Sequence, residues 1–398
     1  MTGSNKMMSA NRQLSLQRII SPILFVLVTI SLATFIYLFG PLKVFAFFGI
    51  DAMTPYFADL RQIAAAVDAE DRGLKPWLEN PGDPWDRPLN YPVIWIWLFR
   101  RIANWGDPVL IFGMAQLVAF FGLGLWLSCQ KEGYLAFLLC LSPPILLAIE
   151  RGSTNILVFL LMLFGVWRAS IPGGVALGLA TALKFFPAAA MGIVAFRANY
   201  RFLIGVALVA PLIVWAFIQL PRIYDLFPSS PERLFGVKSF SRGLYALFGP
   251  GRIPRAATSA YAVYSVFFVM TCLIWHIFRP NFEELFKAFC VLGKVPKRFA
   301  LAFLATFVGM FLTASNQIYM LLFFSPILVV LLKVVQFNGN RLALIILIMG
   351  LAIFFLPLFP YWGKLISPAV FAYAILVTPI LIEASRIEFA AKRSITLA

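Results

Sequence analysis

A segment of about twenty apolar residues can satisfy every backbone amide in a bilayer only by coiling into one helix that crosses it. This chain carries such segments again and again from Ile19 to Ile382, separated by short polar breaks. Of its 398 residues 61% are hydrophobic and 13% charged, where a soluble domain is about half apolar and about a quarter charged. Too few polar side chains exist to cover a water-facing surface, so the chain reads as an all-α polytopic membrane protein, a single membrane domain over residues 1–398.

The spacing predicts ten spanning helices, near residues 19–42, 107–128, 133–149, 154–168, 202–220, 258–278, 299–314, 318–335, 342–358 and 366–383. The first run follows Lys6, Arg12 and Arg18 but is longer than a secretory core and ends in Phe-Gly-Pro-Leu, so it reads as a retained anchor. Residues 173–196 are broken by Lys184-Phe185-Phe186-Pro187. They read either as two half-helices that enter and leave on one side or as a span that shifts the later count by one. With the N-terminus inside, the short connections at Arg197 and Arg201, at Lys294, Lys297 and Arg298, at Arg341, and the tail with Lys392 and Arg393 fall in the cytoplasm, in line with the positive-inside rule. Net charge is +16, from 33 Lys plus Arg against 17 Asp plus Glu. With no nucleic-acid motif beside it, this charge suits anionic lipid head groups rather than nucleic acid.

Two longer loops then share the outer face. Residues 51–91 hold eight of the 17 acids, within an outer segment 51–106 that includes interfacial helices. Residues 221–257 hold Arg222, Arg233, Lys238, Arg242, Arg252 and Arg255 against Asp225 and Glu232. An acidic loop facing a basic one supplies what a general base and an anionic lipid phosphate would each need. Pro55 to Ala66 reads as a short interfacial helix led by Asp59, a carboxylate between Phe57 and Leu60 suited to taking a proton; the plainer reading is a solvated acid or a partner for Arg61. Trp85 to Arg101 combines aromatic residues fit to stack on a sugar ring with residues fit for an interfacial belt.

Glu150-Arg151-Gly152-Ser153-Thr154-Asn155 puts charge and amide where two helices meet, which is either a polar site or a Glu150–Arg151 pair capping helix ends. Lys184 either neutralises a phosphate or snorkels to the surface. Cys129, Cys140, Cys272 and Cys290 support neither a disulfide framework nor a metal site. The lone histidine, His276, makes no catalytic pair, and neither a Walker A nor a Rossmann fingerprint is present. No cofactor is called for. A divalent metal on the acidic loop has no supporting ligand spacing and is left open.

The order of segments resembles the C-type membrane glycosyltransferases (GT-C fold), in particular the polyprenol-phosphate-mannose-dependent family that includes bacterial α-1,2-mannosyltransferases. The resemblance runs through Phe57-Ala58-Asp59-Leu60, Asn90-Tyr91-Pro92, Glu150 to Ile156, Gly174 to Pro187, and Ser315-Asn316-Gln317-Ile318-Tyr319. Val93 stands where the family often has a second proline, and Arg151 or Ser153 where it has glutamine. The resemblance implies Asp59 as catalytic base, with Arg151, Asn155 and Lys184 near the donor. With the basic loop added, the expected set is Lys184, Arg151 and Arg242 on donor phosphate, and Asn90, Tyr91, Asn155 and Asn316 on sugar or acceptor. The expected partners are a polyprenyl-phosphate sugar, a lipid or glycan acceptor, and membrane lipids, in a multi-pass protein of the cell membrane, a bacterial inner membrane with an outward-facing site. A lipid or glycan transporter or flippase, and a polysaccharide ligase or polymerase, are the competing readings.

Overall fold

The computed structural model describes residues 2–50, 52–130, 133–197, 199–219, 234–236, 240, 260–313, 316–359 and 362–397. Among these the helices are α1 (Thr2–Phe39), α2 (Pro41–Phe47), α3 (Ala58–Asp71), α4 (Ile94–Ala103), α5 (Pro108–Ser128), α6 (Gly133–Cys140), α7 (Pro143–Glu150), α8 (Asn155–Arg168), α9 (Ile171–Leu183), α10 (Pro187–Ala195) and α11 (Tyr200–Ile218). They continue with α12 (Ala260–Val291), α13 (Lys294–Thr313), α14 (Ser325–Asn338), α15 (Arg341–Phe355) and α16 (Trp362–Leu397). The protein is an all-α polytopic membrane protein. Among the described residues its extended pairing is confined to β1 (Leu234–Phe235) and β2 (Asn316–Gln317), which run antiparallel.

Local chemistry sets many of these ends. Proline sits in the first turn of α2, α5, α7, α9, α10 and α14, where its missing N–H costs nothing. The Asp107 carboxylate accepts from the Val109 amide at 2.8 Å, and the Asn340 amide oxygen accepts from Ala343 N at 2.8 Å, each satisfying a free helical donor. Gly339 at φ +64° closes α14.

Eight helices among the described residues are long and apolar enough to cross a bilayer, or nine if the bent pair α6–α7 is one span. The expectation of ten differs at two places. Helix α8 has 14 residues and so rises about 21 Å, short of a hydrocarbon core of about 30 Å. The segment 133–149 is not one rod but two pieces bent by 53° at the Ser142-Pro143-Pro144 break. The interruption at Lys184 is real, for α9 ends there in extended backbone and α10 restarts at Pro187.

The core is aromatic. Phe303, Phe307 and Phe311 recur every fourth residue on α13 and are fully buried, one stripe of a helix. Phe159 of α8 meets Phe303 edge-on at 5.9 Å, while Phe324 contacts both Phe307 and Tyr373 of α16 at 4.7 and 4.9 Å. Toward the far end of α16, buried Glu383 accepts from Trp275 Nε1 of α12 at 3.0 Å and pairs with Arg386, which also reaches Glu283 at 3.0 Å. Arg197 pairs with Glu388 at 3.0 Å. These ion pairs tie α16 to α12 and to the end of α10 with each charge met by a partner.

Helices α9 and α11 touch backbone to backbone. A Cβ on Gly174 would lie 2.2 Å from Phe202 O, and one on Gly205 would lie 2.1 Å from Ile171 O. Small residues permit this approach where lipid offers no hydrophobic drive for helix association. Gly174→Leu should therefore force the pair apart and lower stability by about 3 kcal/mol. Gly122→Ala in α5, where an added Cβ meets nothing within 4 Å, should leave thermal unfolding in detergent unchanged or slightly raised.

Candidate active site

Three segments far apart in the chain meet at Asp59. Phe57 caps α3 in the left-handed region at φ 61°, ψ 45°, a costly conformation for a residue with a Cβ. Its amide donates to Glu150 O at 3.2 Å, and the Asp59 amide donates to Arg151 O at 2.9 Å. The turn after α7 thus supplies carbonyls to the free donors that open α3. Gly152, at φ +58°, lets the turn come this close, since a Cβ there would stand 2.9 Å from Phe57 Cβ and 3.0 Å from Leu60 Cδ1. The third segment brings Tyr319, whose hydroxyl donates to Asp59 Oδ2 at 3.2 Å.

Asp59 is buried, at 6% exposure, yet it lines a cavity of about 610 Å³ measured out to its open mouth. The polar wall is Asp59, Arg87, Arg151, Gln317 and Tyr319; Gly49, Ile50, Pro143, Leu147, Ile318 and Pro357 form the apolar one. Arg87 Nη1 lies 3.8 Å from Asp59 Oδ1. Burial works against charge on Arg87, but its hydrogen bond to Asp83 and the fields of Asp59 and Asp83 outweigh that, and its pKa is raised. Arg151 Nε stands 3.1 Å from Glu150 Oε2, while Glu150 Oε1 accepts from the Met53 amide at 2.7 Å. The Glu150–Arg151 pair therefore exists and also anchors the strand of chain leading to Asp59.

Tyr91 is buried behind this wall. Burial first, then the negative field of Asp59, pushes its phenol well above the usual range, so it is a neutral hydrogen-bonding group at physiological pH. Lys184, half-buried, holds its ammonium 4.0 Å from the centre of the Tyr91 ring, a cation–π contact. It is not among the residues lining the cavity. Asn155 donates from Nδ2 to Ser153 Oγ at 2.8 Å. The side-chain oxygens of Asn155 and Asn90 are buried with no hydrogen-bond partner among the described residues, and neither residue lines the cavity. Arg242 and most of the basic loop 221–257 lie outside the described residues, as does Asp51, and Asn316 is described only in its backbone. Among the described residues no three His, Cys, Asp or Glu side chains cluster closely enough to hold a metal ion.

Of the expected site residues, Asp59 and Arg151 share the cavity. The plainer expectation for Asp59, a pair with Arg61, is replaced: Arg61 Nε donates to Tyr56 O at 2.7 Å and Asp59 faces Arg87 and Tyr319 instead. Arg87, Tyr319 and Gln317 line the cavity without having been singled out for a role. The one local signal for Arg87 was its spacing of four residues from Asp83 in a turn-rich stretch. Trp95, read as a residue of the aromatic belt, is fully buried and donates from Nε1 to Leu183 O at 3.1 Å; Trp97 is the one exposed. Comparison with protein-family models, with curated proteins and with solved structures finds no match.

Because Gly152 sits under Phe57 and Leu60 in left-handed backbone, Gly152→Ala should displace the start of α3. The expected cost is about 1–3 kcal/mol in thermal unfolding.

Proposed function

We propose that this chain is an inverting membrane glycosyltransferase. It takes a sugar, a hexose such as mannose, from a polyprenyl-phosphate donor and places it on a hydroxyl of a lipid-linked or cell-envelope glycan at the outer face of the membrane. The observation that carries the reading is a single cavity in which a buried carboxylate, Asp59, stands among two guanidinium side chains and a phenol beside an apolar wall. Such a wall suits a ligand that is polar at one end and hydrocarbon at the other.

In this reaction the acceptor oxygen forms a bond to the anomeric carbon as the bond from that carbon to the phosphate oxygen breaks. The acceptor proton passes to Asp59, and the electron pair of the broken bond leaves on the phosphate. Asp59 Oδ2 is engaged by Tyr319, which leaves Oδ1 as the proton acceptor. Negative charge grows on the leaving phosphate, so fixed cations nearby lower the barrier more than they favour the ground state. The activated glycosyl phosphate supplies the free energy, in keeping with a sequence that carries no nucleotide fingerprint.

Asp59→Asn keeps the shape and most hydrogen bonds but removes the base. It should lower turnover by about 10² to 10⁴ in a purified assay with polyprenyl-phosphate sugar and acceptor, while the melting temperature holds. Asp68→Asn, at an exposed position of the same helix, is the control and should turn over normally. Normal turnover by the Asp59 variant would remove the proposed base and favour a transporter.

The outward orientation has its own check. In a chain with its native cysteines replaced, Leu78→Cys, 67% exposed in the acidic loop, should react in intact cells with a membrane-impermeant maleimide; reaction only after permeabilisation would invert the topology.

A further inference from the structure

Arg87 is fixed more firmly than a half-buried loop arginine needs to be. Its Nε and Nη2 fork onto the two oxygens of Asp83 at 2.9 and 2.8 Å, and Nη2 also donates to Ala58 O at 2.6 Å. Asp83 is itself buried, and accepts further bonds from the amides of Arg87 and Trp85 at 3.0 and 3.2 Å. The Trp85 ring covers the guanidinium at 4.7 Å. These hydrogen bonds use Nε and Nη2 and leave Nη1, on a residue that lines the cavity, without one among the described residues. Its ion-pair partner, Asp59 Oδ1 at 3.8 Å, is too far for a hydrogen bond.

A guanidinium with two nitrogens pinned and the third without a hydrogen bond among the described residues, lining the cavity beside a carboxylate, is arranged to change partners. We propose that Arg87 is a shared cation, handed from Asp59 to the departing polyprenyl phosphate during glycosyl transfer, with Asp83 as the residue that positions it. The handover rests on the transferase reading above and names the group that receives its leaving charge. Before transfer, Arg87 balances ionised Asp59. As the acceptor proton moves onto Asp59, that carboxylate loses its charge at the moment the phosphate gains one. The positive charge stays still and its partner changes, so nothing in the wall has to reorganise. Asp83 and Glu150 face their own arginines and are not among the cavity-lining residues, so among the described residues Asp59 is the acid that competes with phosphate for Nη1.

The handover predicts a thermodynamic coupling that can be read without any sugar transfer. Asparagine at position 59 mimics the protonated acid, so the full-length Asp59→Asn protein in detergent should bind undecaprenyl phosphate roughly tenfold more tightly than the wild type, the size of one additional charge-assisted hydrogen bond. In Asp59→Asn/Arg87→Gln that gain should vanish. Where the Gln variant fails to fold by its melting curve, Arg87→Lys serves instead; it keeps the charge but cannot fork onto Asp83, and the gain should shrink. Inorganic phosphate, measured in parallel, should show the same pattern at lower affinity, because it lacks the chain that would use the apolar wall.

An unchanged affinity in Asp59→Asn, or a gain that survives loss of Arg87, would overturn the handover. Equal affinity for inorganic and undecaprenyl phosphate would overturn its assignment to a lipid donor. In turnover, Arg87→Lys should lower kcat with little change in KM, whereas a merely structural arginine would lower the melting temperature and leave that ratio alone. If the binding cycle holds but no polyprenyl-phosphate sugar is ever turned over, the anion site stands and the transferase reading falls.

Discussion

Two hydrogen bonds hold the site together: the amides of Phe57 and Asp59 donating to the carbonyls of Glu150 and Arg151. A helix begins with unsatisfied N–H groups, and at α3 the missing acceptors come from a turn about ninety residues away. Everything near Asp59 follows from that docking. It holds Phe57 in left-handed backbone and requires a glycine at 152. It also brings Arg151 to the same wall as Asp59. Tyr319 adds a third segment, its hydroxyl donating to Asp59 Oδ2.

The hydrocarbon surroundings explain where irregular backbone occurs. In lipid an unpaired amide is expensive, so breaks in helices survive only where protein or a cavity satisfies them. Three breaks border the cavity among the described residues. One lies between α6 and α7 at Pro143, one between α7 and α8 at Arg151, and one before the 3₁₀ segment Ile318–Phe324, whereas the break at Lys184 to Phe186 does not line it. Elsewhere α12 kinks at Phe278 before Pro280, and the helices are joined by phenylalanine stripes or by glycine contacts, as between α9 and α11. Polar side chains meet at the breaks that border the cavity, and a second polar cluster, Glu383 with Arg386 and Glu283, joins α16 to α12.

How far each residue could be read beforehand depended on whether its role was local. Asp59 leads a short interfacial helix but stood out only through the family resemblance, and Arg151 because charge at a helix junction is conspicuous. Arg87 did not stand out, because its importance lies in Asp83 and Ala58 O holding two of its nitrogens while the third faces Asp59. Trp95 read as an interfacial aromatic, yet the chain folds Leu183 O over its indole. Lys184 read as a basic residue away from any obvious water-facing end, and only packing put Tyr91 beside it.

That the chain is helical and lives in a membrane was legible in the residues alone, because run length and apolarity are local properties and the bilayer tests them one segment at a time. So was the break at Lys184 to Pro187, since proline and an interrupted hydrophobic run act on their own neighbours, whereas 133–149 read as one span despite Pro143 and Pro144. Packing settled which breaks meet, that α6 and α7 bend by 53° and α8 stays short of the bilayer, and that Asp59 faces an arginine 28 residues ahead rather than one two residues ahead. Those outcomes depend on contacts between residues far apart in the chain, whose energies no single segment contains.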